Sequence, residues 1–255
     1  MAATGVLPFV RGIDLTKNDF KGNKFPELIE EMTGLRWLKL STTHLQKMPQ
    51  ELANLDKLEE LTIKNNSISD LGKFLPKLPA LSKLNCRYNE ITDKGVPAEL
   101  FDLSELSVVD LSHNQLTDVP PQLENAKSVL VLNLSHNQIE MIPNQLFINL
   151  TDLVFVDLSN NCLETLPPQM RRLTDLRTLI LNNNPLVHAQ LRQIPALSAL
   201  QTLHMRNTQR SISNIPIGLE ALTNLQDVDF SGNNSELVFS DVDFSDVDFS
   251  GNDSG

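Results

Sequence analysis

At 255 residues and 40% hydrophobic content, the chain carries enough apolar material for a sizeable core. No apolar stretch approaches the roughly 20 residues that a bilayer-spanning helix needs, and the two cysteines, Cys86 and Cys162, form neither a disulfide framework nor a metal-ligand spacing. The formal net charge of −11 is concentrated: nine of the 32 acidic residues follow Arg210, where no Lys, Arg or His occurs, and that end is unsuited to gripping nucleic acid. The opening MAATGVLPFVRGIDL lacks the basic and apolar regions of a secretory signal. A cytoplasmic chain is expected, with the nucleus as a second compartment and the cytoskeleton reached through partners.

In chain order, one pattern recurs: L-x-x-L-x-L-x-x-N-x-L. It reads VRGIDLTKNDF from Val10, LRWLKLSTTHL from Leu35, LEELTIKNNSI from Leu58 and LSKLNCRYNEI from Leu81. LSVVDLSHNQL follows from Leu106, VLVLNLSHNQI from Val129, LVFVDLSNNCL from Leu153 and LRTLILNNNPL from Leu176, then two weaker units from Leu200 and Leu225. The units start 23 to 25 residues apart, the period of leucine-rich repeats. Each L-x-L segment predicts a short strand with its leucines inward, so stacked coils give an α/β leucine-rich-repeat solenoid. A parallel concave β-sheet is expected on one side and short helical or irregular segments on the convex side. Several of these segments carry Pro, as at Pro49 and Pro167.

The ninth motif position holds Asn18, Asn66, Asn89, Asn114, Asn137, Asn161, Asn184 and Asn233. An amide both donates and accepts, so a column of asparagines can satisfy backbone groups that the turning chain leaves unpaired. Thr43 and Thr208 interrupt the column, which predicts local irregularity in coils two and nine. The domain is expected over 1–234, in about ten repeats. Residues 235–255 are an acidic low-complexity tail, expected to be disordered or a frayed partial repeat. There DVDFSGND nearly copies DVDFSGNN of repeat ten. A calcium loop over Asp246, Asp248 and Ser250 is not expected, because Ser250 stands where an acid is needed and no Glu follows at the twelfth position.

Cys86 occupies a strand leucine position and is read as a small buried hydrophobe, Cys162 as nearer the surface. His113 and His136 share a position in adjacent coils, about 5 Å apart across the sheet, and make at most half a zinc site. They are expected to form a solvated ladder, and Ser112, Ser135 and Ser159 to be ordinary surface. No Ser-His-Asp set, phosphate loop or carboxylate pair stands out, so no catalytic residue, cofactor or metal is expected.

Outward-pointing strand positions mark a different candidate. The third motif position reads Gly12, Trp37, Glu60, Lys83, Val108, Val131, Phe155, Thr178, Thr202 and Asp227. Val108, Val131 and Phe155 form a contiguous apolar lane that no core requires. Trp37 shares that lane, Tyr88 lies at an eighth position, and Arg36, Lys39, Lys64, Lys83 and Arg87 surround them. The expected site is basic and aromatic over coils two to four and apolar over coils five to seven, suited to an amphipathic helix or coiled coil.

Three stretches are more specific than the repeat consensus requires: ATGVLPFVRGIDL, LENAKSVLVLNLSHNQIEMIPNQLFINLTDLVFVDLS and LPPQMRRLTDLRTLILNNNPLVHAQLRQIPALSALQTLHMRNTQR. They resemble the N-terminal leucine-rich-repeat region of the flightless-I family, over about residues 3 to 234. Members of that family join a repeat domain, which engages protein partners including coiled-coil flightless-interacting proteins, to gelsolin-like domains that bind and sever actin. The gelsolin-like part has no counterpart in this sequence. The resemblance therefore implies the partner-binding half, a non-enzymatic protein-interaction module and scaffold in actin regulation, and not direct actin binding or severing. A regulator of small-GTPase or phosphatase signalling is the alternative, because the xLPxxLxxL convex segment occurs in that group too.

Overall fold

Ten three-residue strands, one per repeat, line up in the computed structural model, which describes residues 4–22, 24–211 and 215–234. They are β1 Gly12–Asp14, β2 Trp37–Lys39, β3 Glu60–Thr62, β4 Lys83–Asn85, β5 Val108–Asp110, β6 Val131–Asn133, β7 Phe155–Asp157, β8 Thr178–Ile180, β9 Thr202–His204 and β10 Asp227–Asp229. All pair in parallel and in chain order, with each motif position opposite its equivalent: Trp37 faces Glu60, and Val108 faces Val131. The fold is the leucine-rich-repeat solenoid that the period requires. In β2 the alternation is plain, with Leu38 buried between exposed Trp37 and Lys39. Cys86 is buried among leucines, and desolvation pushes its thiol far from the reactive range, whereas Cys162 is exposed.

Proline starts the convex segments. Pro26, Pro49, Pro97 and Pro167 directly precede the 3-10 helices Glu27–Glu31, Gln50–Leu52, Ala98–Asp102 and Pro168–Arg172. Its fixed φ presets the turn, and it has no N–H to leave unbonded at a helix start. Few residues remain before the next strand, so the bonds are tight ones from i to i+3, as from the Leu52 N–H to the Pro49 carbonyl at 3.2 Å. In coil six the segment becomes one α-helical turn, α1 Leu146–Asn149. Phe101 and the α1 residue Phe147 are fully buried behind this wall.

The asparagine column staples successive coils. Asn114 Nδ2 donates to the Leu111 carbonyl of its own coil at 3.0 Å and to the Cys86 carbonyl of the preceding coil at 3.1 Å, while its Oδ1 accepts from the Ile91 N–H at 3.0 Å. Asn137, Asn161 and Asn184 repeat that scheme. Thr43 and Thr208 do not. Each hydroxyl donates to a carbonyl of its own coil, Leu40 at 2.7 Å and Met205 at 3.3 Å. The irregularity expected there takes a definite form: His44 and Gln209, the next residues, have φ of 59° and 60°. In coil nine the buried Arg210, at the closing leucine position, donates from Nη1 to the Leu186 and Ala189 carbonyls of coil eight at 2.7 and 2.6 Å. A guanidinium thus supplies the cross-coil link that Thr208 does not.

A second column was not anticipated from the repeat. The eighth position is left-handed in all ten coils: Lys17, Thr42, Asn65, Tyr88, His113, His136, Asn160, Asn183, Asn207 and Gly232 have φ between 49° and 72°. In coils one, four to seven and ten an acid or amide at the fifth position braces this turn. Asp110 Oδ1 accepts from the Ser112 N–H at 2.9 Å and from its hydroxyl at 2.6 Å, and Asn133 with Ser135 and Asp157 with Ser159 do the same. Ser112, Ser135 and Ser159 are consequently buried. This corrects their reading as ordinary surface: the hydroxyls turn into the bend, because strand alternation stops at the sixth position. The expectations for 235–255, including the calcium reading at Asp246, Asp248 and Ser250, lie outside the described residues.

Candidate functional site

The concave sheet presents third and fifth positions, with the eighth position along its rim. Trp37 lies flat over β1, so close that a Cβ on Gly12 would meet its indole at 1.8 Å from Cε2. Glycine at Gly12 permits this close approach, and a larger residue there would push the Trp37 side chain aside. Lys39 Nζ stands 5.5 Å from the Trp37 ring centroid, within cation–π range. In the next two coils Lys83 pairs with Glu60 at 3.3 Å, an exposed bridge of small energetic weight. Arg36 is exposed just before β2, and Lys64 is half-buried at a seventh position.

Tyr88 belongs to a different group, two coils away from Trp37. Its ring stacks on His113 with centroids 4.0 Å apart, and His113 stacks on His136 at 3.8 Å. Arg87 sits 5.1 Å from the Tyr88 ring and donates from Nη2 to His113 Nε2 at 3.3 Å. The row continues through amides: Asn160 Nδ2 donates to His136 Nε2 at 3.2 Å, Asn183 to Asn160 Oδ1 at 3.1 Å, and Asn207 to Asn183 Oδ1 at 2.9 Å. Six side chains in consecutive coils thus form one rail. The two histidines form the expected ladder as a face-to-face stack, with His113 half-buried and His136 exposed. Asn and His tolerate the left-handed backbone, but a bulky ring there is unusual. An asparagine would meet the backbone's demand at lower cost; the Tyr88 ring instead packs on His113 and remains 44% exposed.

Beside the rail, Val108, Val131 and Phe155 sit opposite one another in β5, β6 and β7. They are half-buried by one another rather than fully exposed, so the apolar lane is contiguous but shallow. Leu130, just before β6, adds a 42%-exposed apolar side chain that motif reading did not single out. The rail was legible only in part. Its signal was the run of Asn and His at one motif position, residue types enriched in left-handed turns.

His113 has a pKa below its ordinary value, first because burial removes water from the ring, then because of His136 and Arg87, with Asp110 opposing. A histidine whose folded pKa lies below its unfolded one binds fewer protons when folded. Stability is therefore expected to fall as pH drops from about 6.5 towards the folded value, and to level off below it. His113→Asn, which suits the backbone, is expected to flatten that decline in unfolding free energies measured from pH 7.5 to 5. An NMR titration placing His113 at or above the ordinary imidazole value contradicts this.

Nothing in this geometry assembles a reacting centre. A face of alternating apolar, aromatic and charged lanes can bind a chain laid across it. The Leucine rich repeat family model matches residues 104–163 and 127–186. Flightless-1 homologues from human and zebrafish are 62% and 58% identical to the chain over 233 residues, 91% of its length. The chain fits the leucine-rich-repeat region of the flightless-1 homologues. It spans 18% of the length of these relatives, and what it shares with them is leucine-rich-repeat coils, a protein-interaction fold. Among solved structures, a leucine-rich-repeat protein of Leptospira interrogans superposes with a TM-score of 0.75 at 26% identity, over 82% of this chain and 52% of that one. Fold and family together point to a non-enzymatic interaction domain.

Proposed function

We propose that this leucine-rich-repeat domain is a docking module that takes an amphipathic helix or coiled-coil segment of a protein partner on its concave face. The observation that carries this reading is the pairing of two features on coils four to seven. The Val108, Val131 and Phe155 lane runs beside the Tyr88, His113 and His136 stack, whose tyrosine is held on a backbone that disfavours it. Exposed aromatic and Arg side chains next to apolar surface are the residue types that dominate interface energetics. Actin severing, which the resemblance assigns to gelsolin-like domains, is not part of this reading. A small GTPase is the second partner class to be tried.

The test is binding of a coiled-coil flightless-interacting protein by calorimetry, with variants checked by thermal melts. Trp37→Ala with Tyr88→Ala is expected to cost about 2 kcal/mol of binding; because each ring is half-covered by its neighbours, stability is also expected to fall by roughly 1 to 2 kcal/mol with the fold retained. Val108→Ser, Val131→Ser and Phe155→Ser together are expected to cost at least as much binding. These three are half-buried, so they also lower stability by roughly 2 kcal/mol in sum. Unchanged affinity in both folded variants moves the docking surface off the concave face.

A further inference from the structure

The charges on the concave face are segregated along the solenoid. At the third, fifth, seventh and eighth positions, coils one to four carry Lys17, Lys39, Lys64, Lys83 and Arg87 against Asp14 and Glu60, a formal +3. Coils five to ten carry Asp110, Asp157, Asp227 and Asp229 against Arg206, a formal −3. The acidic end is braced from within: His204 lies 2.9 Å from Asp227 across β9 and β10, and Arg206 lies 3.5 Å from Asp229. Between the two ends lies the apolar lane of Val108, Val131 and Phe155. The face is basic over coils one to four and acidic from coil five onward, where the apolar lane is set among Asp110 and Asp157 and the two aspartates of coil ten already have partners.

We infer that the docked segment is a single helix with its charges segregated in the opposite order: an acidic third over coils two to four, then basic residues over coils five to ten, with an apolar stripe facing the lane of coils five to seven. This rests on the docking reading above and adds the partner's charge order and length. Strands spaced about 4.8 Å apart place coil ten roughly 38 Å from coil two. A helix rising 1.5 Å per residue covers that distance in about 25 residues. A uniformly acidic helix suits only the first half and meets like charge at Asp157, Asp227 and Asp229. A second copy of this chain has complementary charge, but two concave sheets facing each other touch at their rims and leave both apolar lanes uncovered. A rod fits the hollow. Complementary charge order sets the docked orientation and excludes wrong partners, which is where interface electrostatics acts most strongly.

Three synthetic 26-residue helical peptides test this against the full chain by fluorescence anisotropy at low and physiological salt. One has segregated charges, one has the same composition with charges interspersed, and one is uniformly acidic. The segregated peptide is expected to bind at least about tenfold more tightly than either of the others. A spin label at its acidic end is expected to broaden amide resonances of coils two to four, and a label at its basic end those of coils eight to ten. Lys39→Glu with Lys83→Glu is expected to weaken it about tenfold, with recovery when the peptide's acidic third is exchanged for lysines. Equal binding of the uniformly acidic peptide, still sensitive to the Tyr88 variant, overturns this inference and leaves the docking reading standing. Failure of the segregated peptide to bind, or a concentration-dependent dimer of the chain in sedimentation, overturns it as well.

Discussion

Asn137→Leu is expected to lower unfolding free energy by about 3 kcal/mol, although leucine has the same branched heavy-atom skeleton and the site is buried. The amide donates to the Leu111 and Leu134 carbonyls at 3.0 and 3.1 Å and accepts from the Leu116 N–H at 3.0 Å. The two carbonyls keep a second partner each, in Asn114 and Asn161. The Leu116 N–H loses the side-chain oxygen it bonds, in a core where water does not replace it. Most of the expected loss is therefore one orphaned N–H of about 2 kcal/mol, with the remainder from three weakened carbonyls, those of Leu111, Leu134 and Ser135. Thr at the same place is expected to cost less, about 2 kcal/mol, since Thr43 and Thr208 show a hydroxyl serving the carbonyl of its own coil. Those coils also place the next residue at positive φ, which Gln138 would have to adopt. Urea unfolding measures the energies, and hydrogen exchange at Leu116 is the local readout. A loss below about 1 kcal/mol for Asn137→Leu shows that the column is not what couples the coils.

Gly95→Ala is expected to cost about 3 kcal/mol, for a reason that is purely spatial. Gly95 ends the 3-10 helix Asp93–Gly95, where coil four presses on coil three, and its carbonyl accepts from the Leu71 N–H at 2.8 Å. A Cβ there would sit 2.0 Å from the Ser69 carbonyl oxygen and 3.1 Å from the Asp70 Cα. Both are backbone atoms, which cannot swing away as a side chain can, so the two coils must separate and the Leu71 bond lengthen. Two other glycines separate space from conformation. Gly5 has open space at its Cβ and is expected to accept Ala within about 0.5 kcal/mol. Gly22 has equally open space but φ of 70°, so Ala there is expected to cost about 1 kcal/mol. Thermal melts of the three variants should rank Gly95, Gly22, Gly5 from most to least destabilised. A Gly95→Ala protein as stable as the parent contradicts the close contact.

What the sequence determined by itself is everything that one coil's pattern enforces. A 23- to 25-residue unit with leucines at fixed positions cannot bury its apolar side alone, so stacking and a parallel sheet follow from the period. Two-residue alternation through the sixth position then assigns Leu38 and Cys86 inward and Trp37, Lys39 and Lys83 outward, and the structure places them so. The interruptions at Thr43 and Thr208 were visible for the same reason, as a missing amide in a column that needs one. Tertiary structure alone decided what happens after the sixth position. There the chain leaves the strand and the eighth residue turns left-handed, braced in six coils by an aspartate or asparagine that accepts from the seventh N–H. That local turn buries Ser112, Ser135 and Ser159, which alternation would have left outside. It also swings Tyr88, His113 and His136 into one stack, because equivalent side chains are brought within ring-stacking distance only when neighbouring coils pack in register. The partial burial of Val108, Val131 and Phe155 has the same origin: each is covered by its counterpart one coil away, a contact that no single repeat encodes.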